Sequence, residues 1–445
     1  MTEPNIDIGI LSGRQINFEL YGDFTLTESE KRYSGRYSAK LEGGKISILQ
    51  ENKEVYSSNE IVFSPNDIET ESFLLRDVTI GKQFHWEKKE NQRFRGRLKL
   101  IKEKNNVTGI NIIPIEEYLI SVISSEMSPN SSLELLKAHA IVSRGWLLAQ
   151  LDKKKQSKKK KSVNEILTDS EITRWYDRED HSHFDLCADD HCQRYQGVTK
   201  IINDNALNAI EATRGLVLVY DNKICDTRYS KCCGGMTESF ENVWEPVKHH
   251  YLSPVVDYKF EIDGIDYDLT NNMLAEKWIK NNPHAYCNTN DPRILSQIMV
   301  DFDRPTNNFF RWTVEYIQED LAEIIRSKSG IDFGNIIDLT PLQRGYSGRI
   351  TRLQISGDKK ELIIGKELEI RRVLSKSHLY SSAFYVTRHD LNGKVPGKFV
   401  LHGAGWGHGV GLCQIGAAVM GEKGYGFDEI LIHYFNGAKI QKIYS

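Results

Sequence analysis

The sequence predicts an α+β fold: a strand-rich N-terminal region, then a mixed helix and sheet domain carrying an inserted helical subdomain. Three observations support it. Residues 6–115 break into short alternating segments such as QINFEL, GKISIL and RFRGRLKLI, separated by Gly, Asn and Asp turns. Two helical patterns follow, at 115–128 and 132–151. Near the C-terminus, KFVLHGAGWGHGVGLCQIGAAVMGEKG runs from a strand through a glycine loop into a helix.

In chain order, the N-terminal strands should form small antiparallel sheets, because alternation buries one face of each. In the first helix Leu119, Val122 and Ile123 recur at i, i+3, i+4, and the next position on that stripe is Glu126. Glu116 and Glu117 suit the dipole at the start of this helix and need no catalytic role. Pro129 breaks the helical run, and Ser131 with Glu134 fits a capping box for the second helix. Lys153 to Ser162 is a charge run read as an exposed loop. RGLVLVYDNKICDTRYS, 214–230, reads as two strands joined by an Asp-Asn turn. NNMLAEKWIKN and QEDLAEIIRSKSG supply the helical patterns of the insertion. The expected segments are therefore 1–92, 93–267, 268–345 and 346–445, with no internal repeat.

Composition narrows the function. The chain has 445 residues, 40% apolar, enough to bury a sizeable core in two or three domains. Its 58 basic and 61 acidic groups leave a formal charge of -3, so no strong pull toward nucleic acid or anionic lipid is expected. No apolar run is long enough to span a bilayer, and the first residues, MTEPNIDIGILSGRQ, show no export signal, so the sequence reads as soluble. Seven cysteines are too few, and odd in number, for a disulfide framework. A cysteine cluster here points to metal instead.

Three constellations carry chemistry. Glu126, if its helix packs on a core, would sit where apolar walls disfavour the charged form, which suits a general acid; the alternative is a cap or salt bridge at the helix end. HSHFDLCADDHCQRYQG brings His181, Cys187 and Cys192 within twelve residues, with His183 and His191 spare. Thiolates and imidazole at such spacing suit tetrahedral zinc, while reduced surface cysteines are the alternative. Cys232 and Cys233 could add a ligand or simply line a turn. LHGAGWGHGVGLCQIG has glycines at 403, 405, 407, 409 and 411. That alternation is not the G-x-G-x-x-G of a dinucleotide fold, so no nucleotide cofactor is expected. The loop offers close backbone approach, the flat face of Trp406, and the imidazoles of His402 and His408; a tight turn with core histidines is the alternative.

Taken in order, FRGRLKLIKEKNNVTGINIIPIEEYLISVISSEM, LKAHAIVSRGWLLA, CQRYQG, YSKCCGGMTE, SGRITRLQISG and the GWGHGVG block resemble the SpoIID/LytB family over roughly residues 93–440. The resemblance implies a peptidoglycan lytic transglycosylase that cuts MurNAc-GlcNAc bonds of denuded glycan and leaves 1,6-anhydro ends. It implies Glu126 as the catalytic acid and a structural zinc on His181, Cys187 and Cys192. It also implies groove-lining roles for Tyr195, Ser230, His402, Trp406, His408 and Gln414, with the Glu126 helix facing a groove floored by the glycine loop. YSKCCGG and Cys413 depart from the family's usual pattern. Such a substrate implies an extracytoplasmic location and an amidase as a possible partner. Relatives described as amidase enhancers give the alternative: a wall-binding protein that does not cut glycan. Sporulation is not implied by the sequence.

Overall fold

The computed structural model describes residues 2–26, 29–81, 87–128, 130–156, 165–175, 181–189, 192–201, 204–261, 264, 266–298 and 308–445. They form an α+β structure in two compact units, one of Met1–Pro129, Arg178–Leu216 and Lys442–Ser445, the other of Asn130–Asp177 and Val217–Gln441. Among the described residues no helix is long and apolar enough to cross a membrane.

The first unit is built on one 11-stranded sheet rather than the several small sheets expected. Alternation explains its faces: Ile16, Phe18 and Leu20 are buried while Gln15 and Asn17 are exposed. Strand Lys88–Phe94 runs through residue 92, and Arg97–Glu103 and Asn106–Pro114 continue the same sheet, which is covered on both sides there: Leu98 and Leu100 are buried on one face, Ile101, Ile110 and Ile112 on the other. Helix Ile115–Glu126 follows directly from Pro114, with Ile115, Tyr118, Leu119, Val122 and Ile123 fully buried. Burying such side chains contributes roughly 1.5–3 kcal/mol each. Glu116 is held by the Tyr444 hydroxyl at 2.6 Å and the Gly215 N–H at 3.3 Å, and Glu117 pairs with Arg95 at 3.3 Å. Both acids are structural.

In the second unit, strands Glu165–Leu167, Glu171–Arg174, Glu361–Gly365, Ile350–Gly357 and Ile336–Arg344 form one sheet in that order. Arg311–Ile317, Val395–Ala404 and Phe384–Asn392 form another. A core of Trp312, Ile325, Leu353, Phe384 and Leu401 belongs to both. The 268–345 segment holds the expected helices, Asn272–Lys280 capped by the Asn271 side chain and Gln318–Ser329 ended by Gly330 at φ 75°. It also gives two strands, Arg311–Ile317 and Ile336–Arg344, paired with Val395–Ala404 and Ile350–Gly357. Trp312, Val314 and Tyr316 alternate, and that period of two overrides the helical reading.

Helix Leu133–Gln156 does not use the expected capping box. Glu134 Oε2 accepts instead from the Phe427 N–H at 2.8 Å, and the Ser131 hydroxyl donates to the Gln297 carbonyl at 2.7 Å. Ser132 Oγ faces the Leu135 N–H in its place. Pro129 and residues 157–162 of the lysine run lie outside the described residues. Lys153, expected in an exposed loop, lies in the helix and pairs with Asp226 at 3.0 Å. The two strands at Leu216–Tyr220 and Lys223–Ile224 are joined through Asp221 and Asn222, both at positive φ, as the Asp-Asn signal implies.

Candidate active site

Glu126 is the last residue of its helix, half-buried between buried Ser125 and Met127. The helix end is closed by the Met127 N–H donating to the Ile123 carbonyl at 3.0 Å, so the carboxylate is not needed as a cap. Among the described residues it has no hydrogen-bond or ion-pair partner, unlike Glu116 and Glu117 on the same helix. Among the described residues neither a cap nor a salt bridge holds it. The result is a partly shielded carboxylate on a rigid element, with lone pairs available to a ligand.

The Cys/His loop belongs to the same unit. Leu186–Cys187 pairs in parallel with Ile8–Gly9, and the Ala188 N–H donates to the Gly9 carbonyl at 3.0 Å. A side chain at Gly9 would meet the Phe184 ring, which stacks on His181 with centroids 4.6 Å apart. These contacts bring one donor atom each from His181, Cys187 and Cys192 within 4.8 Å of one another. The Cys192 Sγ to His181 Nε2 spacing is 3.6 Å. A tetrahedral ion with a Zn–S bond of about 2.3 Å and a Zn–N bond of about 2.0 Å demands an S to N edge of roughly 3.6 Å. The donor set therefore fits zinc in type and spacing.

The glycine loop lies in the second unit. Gly405, Gly407, Gly409 and Gly411 all have φ between 73° and 96°. At Gly409 a Cβ would strike the guanidinium of Arg349, and at Gly411 the carbonyl of Arg228, so both conformation and space require glycine there. Arg349 is fully buried and donates to the carbonyls of Cys233 and Gly407, each at 3.1 Å. It props the loop from beneath. Trp406 is half-buried, stacked on Tyr380 at 4.0 Å, and its backbone forms a bridge with Cys232. His408 packs edge-on to Trp244 at 5.0 Å, and its Nδ1 accepts from the Val410 N–H at 3.0 Å. Burial, with Arg228, Arg371 and Arg349 nearby, holds its pKa well below the ordinary range, so the ring is neutral and protonated on Nε2.

Comparison with known proteins finds SpoIID-like relatives. The family model described as "Stage II sporulation protein" (SpoIID) matches residues 103–220, the segment holding Glu126 and the Cys/His loop, and a "Domain of unknown function (DUF8618)" matches 238–411. The chain is 24% identical over 330 residues to Stage II sporulation protein D of Bacillus amyloliquefaciens, covering 74% of this chain and 75% of that one. Over residues 103–220 the chain is similar to the SpoIID family. It is also 27% identical over 345 residues to an uncharacterized protein of Brachyspira hyodysenteriae, covering 78% and 71% of the two chains. To the Amidase enhancer of Bacillus subtilis it is 23% identical over 262 residues, 54% of this chain but 33% of that protein.

Several positions that the SpoIID resemblance assigned to a groove are placed elsewhere. Tyr195 is 1% exposed; its hydroxyl donates to Asn111 Oδ1 at 2.6 Å and its ring lies 5.0 Å from that of Tyr118. It is a core residue, because its ring fills the layer beneath the Glu126 helix. Gln414 is also buried, its amide donating to His139 Nε2 at 3.1 Å. Ser230 is buried with an unpartnered hydroxyl among the described residues, held beneath Gly407. His402 remains half-buried, stacked on Tyr385 at 4.8 Å, and Trp406 and His408 are likewise partly open.

Sequence reasoning passed over His139, Arg349 and Asp226. His139 is fully buried, its Nδ1 3.2 Å from the Ser143 hydroxyl, and burial lowers its pKa to about 3, so it works as a neutral hydrogen-bonding hub for the strand that leads into Gln414. The i, i+4 spacing of His139 and Ser143 was visible, but it says nothing about a partner 275 residues away. Asp226 binds Arg228 at 2.8 and 2.9 Å and Lys153 at 3.0 Å. Arg228 in turn lies over the Trp244 ring that packs on His408.

Proposed function

We propose that this SpoIID-like chain acts on the cell wall as a peptidoglycan lytic transglycosylase, cutting MurNAc-GlcNAc bonds of denuded glycan strands. The supporting observation is the half-buried carboxylate of Glu126, without a partner among the described residues, at the end of an otherwise buried helix. In this reading Glu126 gives its proton to the glycosidic oxygen as the C1–O bond breaks. The resulting carboxylate then takes the proton of the muramic C6 hydroxyl as that oxygen bonds to C1. The product is a 1,6-anhydro ring, no water is consumed, and Glu126 ends protonated as it began. One acid suffices, whereas the usual two-carboxylate hydrolases set a second carboxyl about 5–9.5 Å away. Trp406, half-open and braced by Tyr380, offers a flat apolar face for a sugar ring, with His402 and His408 as polar contacts. Substrate of this kind lies outside the cytoplasmic membrane, so the site of action is extracytoplasmic.

The same proposal gives His181, Cys187 and Cys192 a zinc ion. When bound it would pin the loop by joining His181 to the two cysteines, with the fourth position left to water or a further ligand. A second reading draws on the likeness to a protein named Amidase enhancer: the chain binds wall or an amidase without cutting glycan. Incubation of denuded glycan with the protein and with a Glu126→Gln variant separates the two. Anhydro-muramyl products from the unmodified chain alone support the enzyme. Wall binding without products from either supports the enhancer.

A further inference from the structure

The second unit holds a donor cluster that glycan cleavage does not use. Cys233, Cys287, Cys413 and Asp257 are all buried, and one donor atom from each lies within 4.8 Å of the others. They come from separate stretches: the turn after strand Tyr229–Ser230, a loop at 257, another at 287, and the strand end Leu412–Cys413. We propose that these four side chains form a structural zinc site, independent of the His181 cluster, that ties the glycine loop to the body of its unit.

Spacing comes first. Cys233 Sγ and Cys287 Sγ are 3.6 Å apart. That is far beyond the disulfide length of about 2.05 Å. It is close to the edge of about 3.8 Å that follows from tetrahedral Zn–S bonds of about 2.3 Å.

Hydrogen bonding around the donors points the same way. The Cys233 N–H donates to Cys413 Sγ at 3.2 Å, a bond that a thiolate accepts far better than a thiol. Asp257 Oδ2 accepts from the Cys287 N–H at 2.9 Å and Oδ1 from the Tyr434 hydroxyl at 2.6 Å. Each oxygen keeps a lone pair, and such outer bonds orient a carboxylate ligand. Gly416, in the first turn of helix Gln414–Glu422, makes the approach possible: a Cβ there would lie 2.5 Å from Asp257 Oδ1.

Charge is the independent observation. Arg311 is half-buried, and its donors go to the backbone carbonyls of Gly234, Trp278, Ile279 and Phe310 rather than to a carboxylate. Desolvation pulls its pKa down to about 10, and the nearby Cys287, Cys232 and Cys233 oppose that pull. Three thiolates and one carboxylate around a divalent ion sum to minus two, and a neighbouring half-buried guanidinium offsets part of that excess. Soft thiolates with one oxygen donor in a closed four-ligand set select zinc. The Cys232 bridge to Trp406 then carries the anchoring into the loop, through N–H to carbonyl bonds of 3.0 and 2.8 Å.

The test is metal content of the full chain purified without chelator, measured by inductively coupled plasma mass spectrometry. Cys287→Ser should hold about one zinc per chain fewer than the unmodified protein, whatever the His181 cluster binds. Conversely, Cys187→Ser with Cys192→Ser leaves the proposed site intact and should retain about one zinc per chain. This second variant keeps the test decisive should Cys287→Ser fail to fold. Cobalt loaded into it after chelation should show thiolate-to-metal charge-transfer bands. A folded Cys187→Ser/Cys192→Ser chain with no zinc, with iron instead, or with a mapped Cys233–Cys287 disulfide would overturn the proposal. Were the His181 cluster empty, the unmodified chain would hold the single zinc and that double variant would not lower it, so the two sites' failures are distinguishable.

Discussion

Replacing Asp226 with Asn should unfasten the glycine loop by way of a buried ion pair. Burial alone would raise the Asp226 carboxyl, but Arg228 and Lys153 hold it at about 2, against an ordinary 3.8. Its folded-state pKa lies below its unfolded value, so its stabilisation is present above pH 3.8 and is lost as pH falls through about 2. A gap of nearly two units at about 1.4 kcal/mol each gives about 2 kcal/mol of pH-dependent stability. At neutral pH, Asp226→Asn also strands Arg228, while Lys153 keeps Glu245, and breaking a buried pair from one side costs about 3–5 kcal/mol. Urea unfolding followed by tryptophan fluorescence reads the right unit, since Trp146, Trp175, Trp244, Trp278, Trp312 and Trp406 all lie in it. The gap between unmodified protein and variant should shrink by about 2 kcal/mol between pH 7 and pH 2. Because Arg228 lies over Trp244 and its carbonyl accepts from the Leu412 N–H at 2.9 Å, amide exchange across 402–414 should also quicken in the variant. A neutral-pH loss below about 1 kcal/mol, or a gap that does not change with acid, would refute the reasoning.

Other expectations follow from the same geometry. Gly409→Ala combines positive φ with a clash on Arg349 and should cost at least about 2 kcal/mol, read as a lowered unfolding midpoint. Tyr195→Phe leaves Asn111 Oδ1 buried without its donor and should cost about 1–3 kcal/mol while glycan binding is unchanged; reduced binding at unchanged stability would restore Tyr195 to a groove. Trp406→Ala should weaken retention on denuded glycan about tenfold, roughly 1.4 kcal/mol, with the fold intact by circular dichroism. Cys192→Ser should lower zinc content by about one per chain and leave the Glu126 helix folded; zinc content unchanged would remove the metal from that loop.

How far the sequence foretold this depends on whether the cause was local. The stripe through Leu119, Val122 and Ile123, the Asp221-Asn222 turn and the Gly330 helix stop are set by neighbours a few residues away, and all were legible. Strand partnership was not. Alternation says which face of QINFEL is buried but not that ten further strands share one sheet with it. Likewise the alternation of Trp312, Val314 and Tyr316 marks a strand but not its partner, Val395–Ala404. At the candidate site the residue types and spacing singled out Glu126 and the His181, Cys187, Cys192 group. Burial of Tyr195 and Gln414 was hidden, since both are fixed by partners far along the chain, Asn111 and His139. The convergence of Cys233, Cys287 and Cys413 was hidden for the same reason.

The most direct measurement is the digestion of denuded glycan strands by the unmodified chain and by Glu126→Gln, with products read by mass spectrometry and folding checked by near-ultraviolet circular dichroism. The account predicts 1,6-anhydro-muramyl ends from the first and none from an equally folded second. Equal product from both, or reducing ends carrying added water, would contradict it.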